Sequence, residues 1–198
     1  MGYHSQQADL SLQDQACYRF VFNGLTQSER TKIEKVSYEP QNQNIQWSFI
    51  GHSTQERMNL ITRLSDAFSK SGFVYMTNKP QPIREGGPHI DHQQFQIIQQ
   101  HCHYVIWCSH HPYLYLESER FREAALAGTL PVKVINDSVQ EYQTIPFSYL
   151  LVSQSSLEKQ LGLLNHDYER YWTQFRKDLL GFPALENEFG NLIGQLDT

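Results

Sequence analysis

Glu117-Ser118-Glu119-Arg120-Phe121-Arg122-Glu123-Ala124-Ala125-Leu126-Ala127-Gly128-Thr129-Leu130-Pro131-Val132 carries a helix and the strand that follows it. Ser118 or Glu117 suits the cap, acids fill the first turn, and Gly128 stands where the helix should stop. Phe121, Ala124 and Ala125 share one narrow face, and the alanines let the helix lie close to a neighbour. After Gly128 the pattern changes to Pro131-Val132-Lys133-Val134-Ile135, a β-branched run that suits a strand entering a sheet. The amides of a helix start lack intrahelical acceptors and sit at the positive dipole end, so they suit an anion. Arg120 and Arg122 would add fixed cations beside them. The same stretch also fits an ordinary helix-to-strand step with surface charges, because no glycine-rich fingerprint marks the turn.

The pattern repeats upstream. Residues 45–50 read as a buried strand closed by Gly51. Ser53 or Thr54 then caps a helix in which Arg57, Leu60, Ile61, Leu64, Ala67 and Phe68 recur at helical spacing. Gly72 ends that helix and 73–76 form the next strand, which makes a βαβ unit of a parallel sheet. Further strands are expected over 104–108, 131–135 and 147–152, and a helix from Asp91 to Gln100 with Phe95, Ile97 and Ile98 on its inner side. The tail from Ser155 is helical, with Leu157, Leu161, Leu164, Tyr168, Tyr171, Trp172, Phe175 and Leu179 at packing rather than base-stacking spacing. Gly181-Phe182-Pro183 breaks it before a last helix. The fold class is therefore α/β, a doubly wound Rossmann-like parallel sheet with helices on both faces. In such sheets ligands bind beyond the carboxyl ends of the strands. That places Gly51, His52 and Ser53 after one strand, and Ser109 and His110 after another, on the presumed site side.

Two phrases of the chain resemble a known family. Arg120-Phe121-Arg122-Glu123-Ala124-Ala125-Leu126-Ala127-Gly128 looks like the acidic-residue helix in the C-terminal, donor-binding domain of GT-B glycosyltransferases of the group-1 type. It is closest to the spore-maturation, CgeB-like branch. Trp47-Ser48-Phe49-Ile50-Gly51-His52-Ser53-Thr54-Gln55-Glu56-Arg57 is similar to that family's opening phrase. The resemblance implies one half of a GT-B enzyme, running from about Ile45 to the C-terminus as a sugar-nucleotide-binding domain (45–198), with 1–44 an extension or linker. It implies a nucleotide-diphosphate sugar as donor substrate, no further cofactor and no metal. The helix start at Ser118 and Glu119 would lie under the diphosphate, with Arg120 on the phosphates and Glu123 at the ribose or sugar. Arg57 would also face phosphate. Tyr115 stands where the first glutamate of the E-x7-E motif would be, which speaks against a retaining mechanism of that type. The catalytic base is not assigned, because in two-domain members it lies on the other domain. A partner chain or a homodimer would then complete the enzyme; the alternative is a non-catalytic nucleotide-binding or protein-interaction module.

Composition narrows the field further. With 198 residues, 39% hydrophobic and a net charge of -5, the chain reads as one globular domain. Its basic residues are scattered, which argues against nucleic acid or a membrane surface. No apolar run approaches the ~20 residues of a membrane span. The three cysteines, Cys17, Cys102 and Cys108, have no framework spacing, and residues 1–7 show no secretory pattern, so a reduced, cytoplasmic setting is expected. His89, Asp91, His92, His101, Cys102, His103, Cys108, His110 and His111 include candidate metal ligands. They lack a CxxC or H-E-x-x-H spacing, and strand alternation sends Cys102 away from His101 and His103.

Overall fold

The computed structural model describes residues 3–4, 25–36, 43–68, 72–77, 90–108, 115–139 and 147–196. In chain order the elements are β1 (Tyr3–His4), α1 (Gln27–Lys35), β2 (Ile45–His52), α2 (Gln55–Ala67), β3 (Phe73–Thr77) and α3 (His92–Gln100). There follow β4 (Cys102–Cys108), β5 (Tyr115–Leu116), α4 (Ser118–Ala127), β6 (Leu130–Ile135), β7 (Leu151–Ser153), α5 (Leu157–His166), α6 (Tyr168–Gly181) and α7 (Leu185–Leu196). Strands β3, β2, β4, β6 and β7 form, in that spatial order, a wholly parallel five-stranded sheet flanked by helices. A two-residue antiparallel pair, β1 with β5, stands apart from it.

The chain leaves β2 for β3 on one side and returns to β4 on the other. That reversal, with right-handed crossovers, puts α2 on one face and α3 on the opposite one. The packing agrees: α2 meets α5, whereas α3 meets α4 and α4 meets α1. It also makes the carboxyl ends of β2 and β4 the switch point, the crevice position where such sheets take ligands. Alternation along the strands gives each face its own aromatic core. Trp47, Phe68, Tyr104 and Tyr168 run together on the α2 side, with neighbouring ring centroids 5.2–6.4 Å apart. Trp107, Phe121 and Phe147 do so on the α4 side, at 5.0–5.3 Å.

Local chemistry explains the element ends. Thr26 and Glu29 form a full capping box that starts α1. Of the two candidates for α2, Thr54 caps, taking the Arg57 amide, while Ser53 gives its own amide to the Thr77 carbonyl and is exposed. Gly128 ends α4 in the left-handed region at φ 77°, its amide reaching back to Ala124 and Ala125. Phe121, Ala124 and Ala125 are fully buried, as their spacing requires.

Several expectations are corrected. Residues 147–150 turn instead of extending, because Phe147 takes a left-handed φ of 61° and its ring packs on Phe121, so only 151–153 pair as a strand. The tail helix breaks at Asp167 into α5 and α6. On α3 it is Gln99 that is buried, whereas Ile97 is exposed. Residues 25–36 are built into the domain: Leu25 and Ile33 lie in the core, and Arg30 donates to the Leu180 and Phe182 carbonyls at 2.7 and 2.5 Å. Residues 18–22, which read as a short strand from their alternation, and 78–89, which read as a long loop from their Pro and Gly content, lie outside the described residues. Among the described residues no helix is long and apolar enough to cross a membrane.

Candidate functional site

The crevice at the switch point is built by backbone before side chains. Gly51 is the last-but-one residue of β2, and a Cβ there would stand 3.3 Å from Arg57 Nη1. The missing side chain lets Arg57, buried at the first turn of α2, fold back over the strand end. Its Nη1 donates to the His52 carbonyl at 2.9 Å and to His52 Nδ1 at 2.7 Å; its Nη2 reaches the Cys108 carbonyl at 3.5 Å. One guanidinium thus bridges the carboxyl ends of β2 and β4. Because arginine only donates, His52 must accept at Nδ1 and carry its proton on Nε2. Burial and the Arg57 charge push His52 below the ordinary histidine range, which agrees with a neutral ring.

Across the crevice α4 starts over Trp107. Lys133 lies beside Trp107 in register on the next strand and is fully buried. Both side chains turn to one carboxylate: Glu117 Oε2 accepts from Trp107 Nε1 at 3.0 Å and from Lys133 Nζ. Glu117 occupies the cap position of α4 yet makes no side-chain cap bond. The expected capping is therefore replaced by a buried ion pair, since an unpaired Lys133 inside the sheet would cost far more than an uncapped helix end. Arg120, half-buried, lays its guanidinium over the Trp107 ring, 5.5 Å from the centroid. Among the described residues no carboxylate or carbonyl accepts a hydrogen bond from that guanidinium. Burial lowers the Arg120 affinity for its proton, Glu117 raises it and Arg57 lowers it again, so Arg120 feels both charges. Lys133 is likewise pushed down by burial, held up by Glu117 and repelled by Arg120. Burial pushes the Cys108 thiol up, against the pull of Arg57 and Lys133, with exposed Glu56 adding to the push.

The site residues expected from sequence therefore divide. Gly51, His52 and Arg57 meet at one wall of the crevice, and Arg120 stands at the other with the start of α4. Glu119 is exposed and paired with Arg122 at 2.5 Å. Glu123, buried, accepts from Gln96 of α3 at 3.3 Å and from Arg122 at 3.2 Å, so its carboxylate ties α4 down. Arg122 was expected to neutralise a diphosphate. It is removed from that task by Glu29, Glu119 and Glu123, which surround it and push its pKa up. Ser109 and His110 lie outside the described residues. Among the described residues no three His, Cys, Asp or Glu side chains converge as metal ligands. Cys102 sits with its thiol on the Ile98 carbonyl at 3.0 Å, its pKa pushed up to about 11 by burial.

Lys133, Glu117 and Trp107 were missed as a unit. The signal was available: a lysine inside an otherwise apolar strand of a parallel sheet must be buried, and a buried lysine needs a carboxylate. A shallow cleft of about 150 Å³, lined by Tyr149, Leu151, Leu163, Leu164 and Tyr171, lies at the amino end of β7, away from these charges. No family model matches the chain, and comparisons with curated proteins and with solved structures return no match.

Proposed function

We propose that the domain binds a nucleotide-diphosphate sugar in the switch-point crevice, as the donor side of a glycosyltransferase. The acceptor side would be supplied outside this domain, by a partner chain or a second copy. The observation that carries the reading is Arg120. It is held on Trp107 at the uncapped start of α4, without a carboxylate of its own, and faces the Arg57 wall across the carboxyl edge of the sheet. Helix amides and a guanidinium that converge in this way stabilise phosphate charge without a metal. The likeness of 120–128 and 47–57 to the donor-domain phrases supports the sugar-nucleotide class over other phosphates.

A non-catalytic nucleotide-binding module with the same crevice is the second reading. Glu123 favours it, because the carboxylate that the resemblance assigns to the ribose is already held by Gln96 and Arg122. Calorimetry with UDP, GDP, UDP-sugars and GDP-sugars tests binding, and a donor-hydrolysis assay then separates enzyme from module. Glu123→Gln distinguishes them further: a ribose contact predicts weaker nucleotide binding, a packing role predicts a lower Tm with affinity unchanged. Failure of every nucleotide to bind the folded protein would end both readings.

A further inference from the structure

Glu117 is placed to do more than hold Lys133. At this edge of the sheet Arg120 acts on Lys133 and is acted on by Arg57, and Glu117 is bonded to Lys133 and acts on Arg120. Lys133 is fully buried and cannot touch a ligand in the crevice, but its charge reaches Arg120. Glu117 cancels that charge from inside. It stands at the cap position of α4, so its negative charge also lies where an incoming anion would meet the helix amides.

Resting on the nucleotide reading above, we propose that Glu117 is a specificity-determining counter-charge, which limits how tightly the crevice holds polyanionic phosphates. With Glu117 and Lys133 cancelling, the cations that the described residues bring to this edge are Arg57 and Arg120. Those two match the two negative charges of a pyrophosphate diester, the linkage in a nucleotide sugar. A more highly charged leaving diphosphate would otherwise be held by all three cations, and release would be slow. Glu117 weakens that grip while keeping the lysine paired in the core.

The test is a charge cycle read by calorimetry with UDP and inorganic pyrophosphate at one fixed salt concentration. One charge a few ångströms from a bound anion, at the dielectric of a protein surface, changes its affinity by about ten- to a hundredfold. Glu117→Gln keeps an acceptor for Trp107 Nε1 but removes the charge, so both probes should bind at least about tenfold tighter. Lys133→Met should bind them about tenfold weaker, because Glu117 is then uncancelled. The double variant removes a buried pair as a unit, a change that proteins often tolerate, and should return to the parent affinity. A gain in affinity is what a purely structural lesion would not produce. If Glu117→Gln does not fold, the double variant must still bind about tenfold tighter than Lys133→Met. Equal or weaker binding by folded Glu117→Gln, or a double variant no tighter than Lys133→Met, overturns the proposal. A parent that binds neither probe brings down the nucleotide reading and this inference together; a binding parent with the wrong cycle brings down only this one.

Discussion

The two sides of α4 carry arginines two residues apart, and the helix treats them in opposite ways. Towards α1, Arg122 is enclosed by Glu29, Glu119 and Glu123, with bonds of 2.5–3.2 Å. Towards the carboxyl edge of the sheet, Arg120 has an indole face beneath it and no carboxylate bonded to it among the described residues. The nearest carboxylate, Glu117, is spent on Lys133 and Trp107. A guanidinium bonded to carboxylates fastens elements together, whereas one that rests on an indole at a helix start can turn to a ligand. Identity and spacing in the chain are the same for both, so what separates them is which neighbours the fold delivers.

Phe121 lies between the two and anchors both. It is fully buried against Trp107, Phe147 and Phe175. Phe121→Ala should cost about 3–5 kcal/mol, seen in urea unfolding, by removing the ring and leaving a cavity beneath the helix. Both arginines should lose their functions together in that variant. Retention of full stability would mean that the helix is not seated as described.

Single-arginine variants should separate the sides. Arg120→Ala should weaken nucleotide binding by about 1.5–3 kcal/mol, roughly ten- to hundredfold, with little change in Tm. Arg122→Ala should do the reverse: it leaves Glu29 without its main partner and should lower stability by about 1–3 kcal/mol, with nucleotide affinity kept. Exchanged outcomes in the two titrations would invert the assignment.

How far the chain announced this division follows from the kind of signal involved. The parallel strands and α2, α3 and α4 were legible because hydrophobic period and turn chemistry are local. Gly128, Asp91 and the Thr26–Glu29 box also ended or began helices where their chemistry says. Arg122 was misread because its partner Glu29 comes from a helix 93 residues away, and no local pattern announces that meeting. Glu117 was misread because a cap and a buried ion pair suit the same carboxylate, and only the register of Lys133 against Trp107 decides. The β7 expectation failed at Phe147, where packing on Phe121 outweighs the strand preference of an aromatic run.

Acid titration should sharpen the Arg122 side. Burial alone would raise the Glu29 pKa, but the Arg122 and Thr26 hydrogen bonds outweigh it and hold the carboxylate below its ordinary value. A depressed folded pKa contributes stability that is present above the unfolded value, about 4.3, and lost as pH falls through the folded one. The parent should therefore lose stability on the acid side of about pH 4 more steeply than Glu29→Gln, which has no such group to protonate. Parallel stability–pH curves for the two proteins would show that the Glu29–Arg122 contact has no weight.

The smallest effect comes from the opposite face of the sheet, where a second arginine joins two helices. Arg63 of α2 donates to both oxygens of Glu158 on α5 at 2.8 and 2.9 Å, a geometry as good as that of Arg122 with Glu29. Exposure is what differs: the Arg63 and Glu158 side chains are 38% and 52% accessible, against 23% and 14% for Arg122 and Glu29. Water screens the outer pair, and holding two long side chains in place offsets much of the attraction. A double-mutant cycle of Arg63→Ala and Glu158→Ala should give a coupling of only about 0–1 kcal/mol, shrinking as salt is raised. The same cycle on Arg122 and Glu29 should give more and depend less on salt, because less of that pair is in water. Equal couplings would mean that bidentate geometry, rather than burial, decides what an arginine contributes between helices here. The contrast drawn between the two sides of α4 would then need another cause.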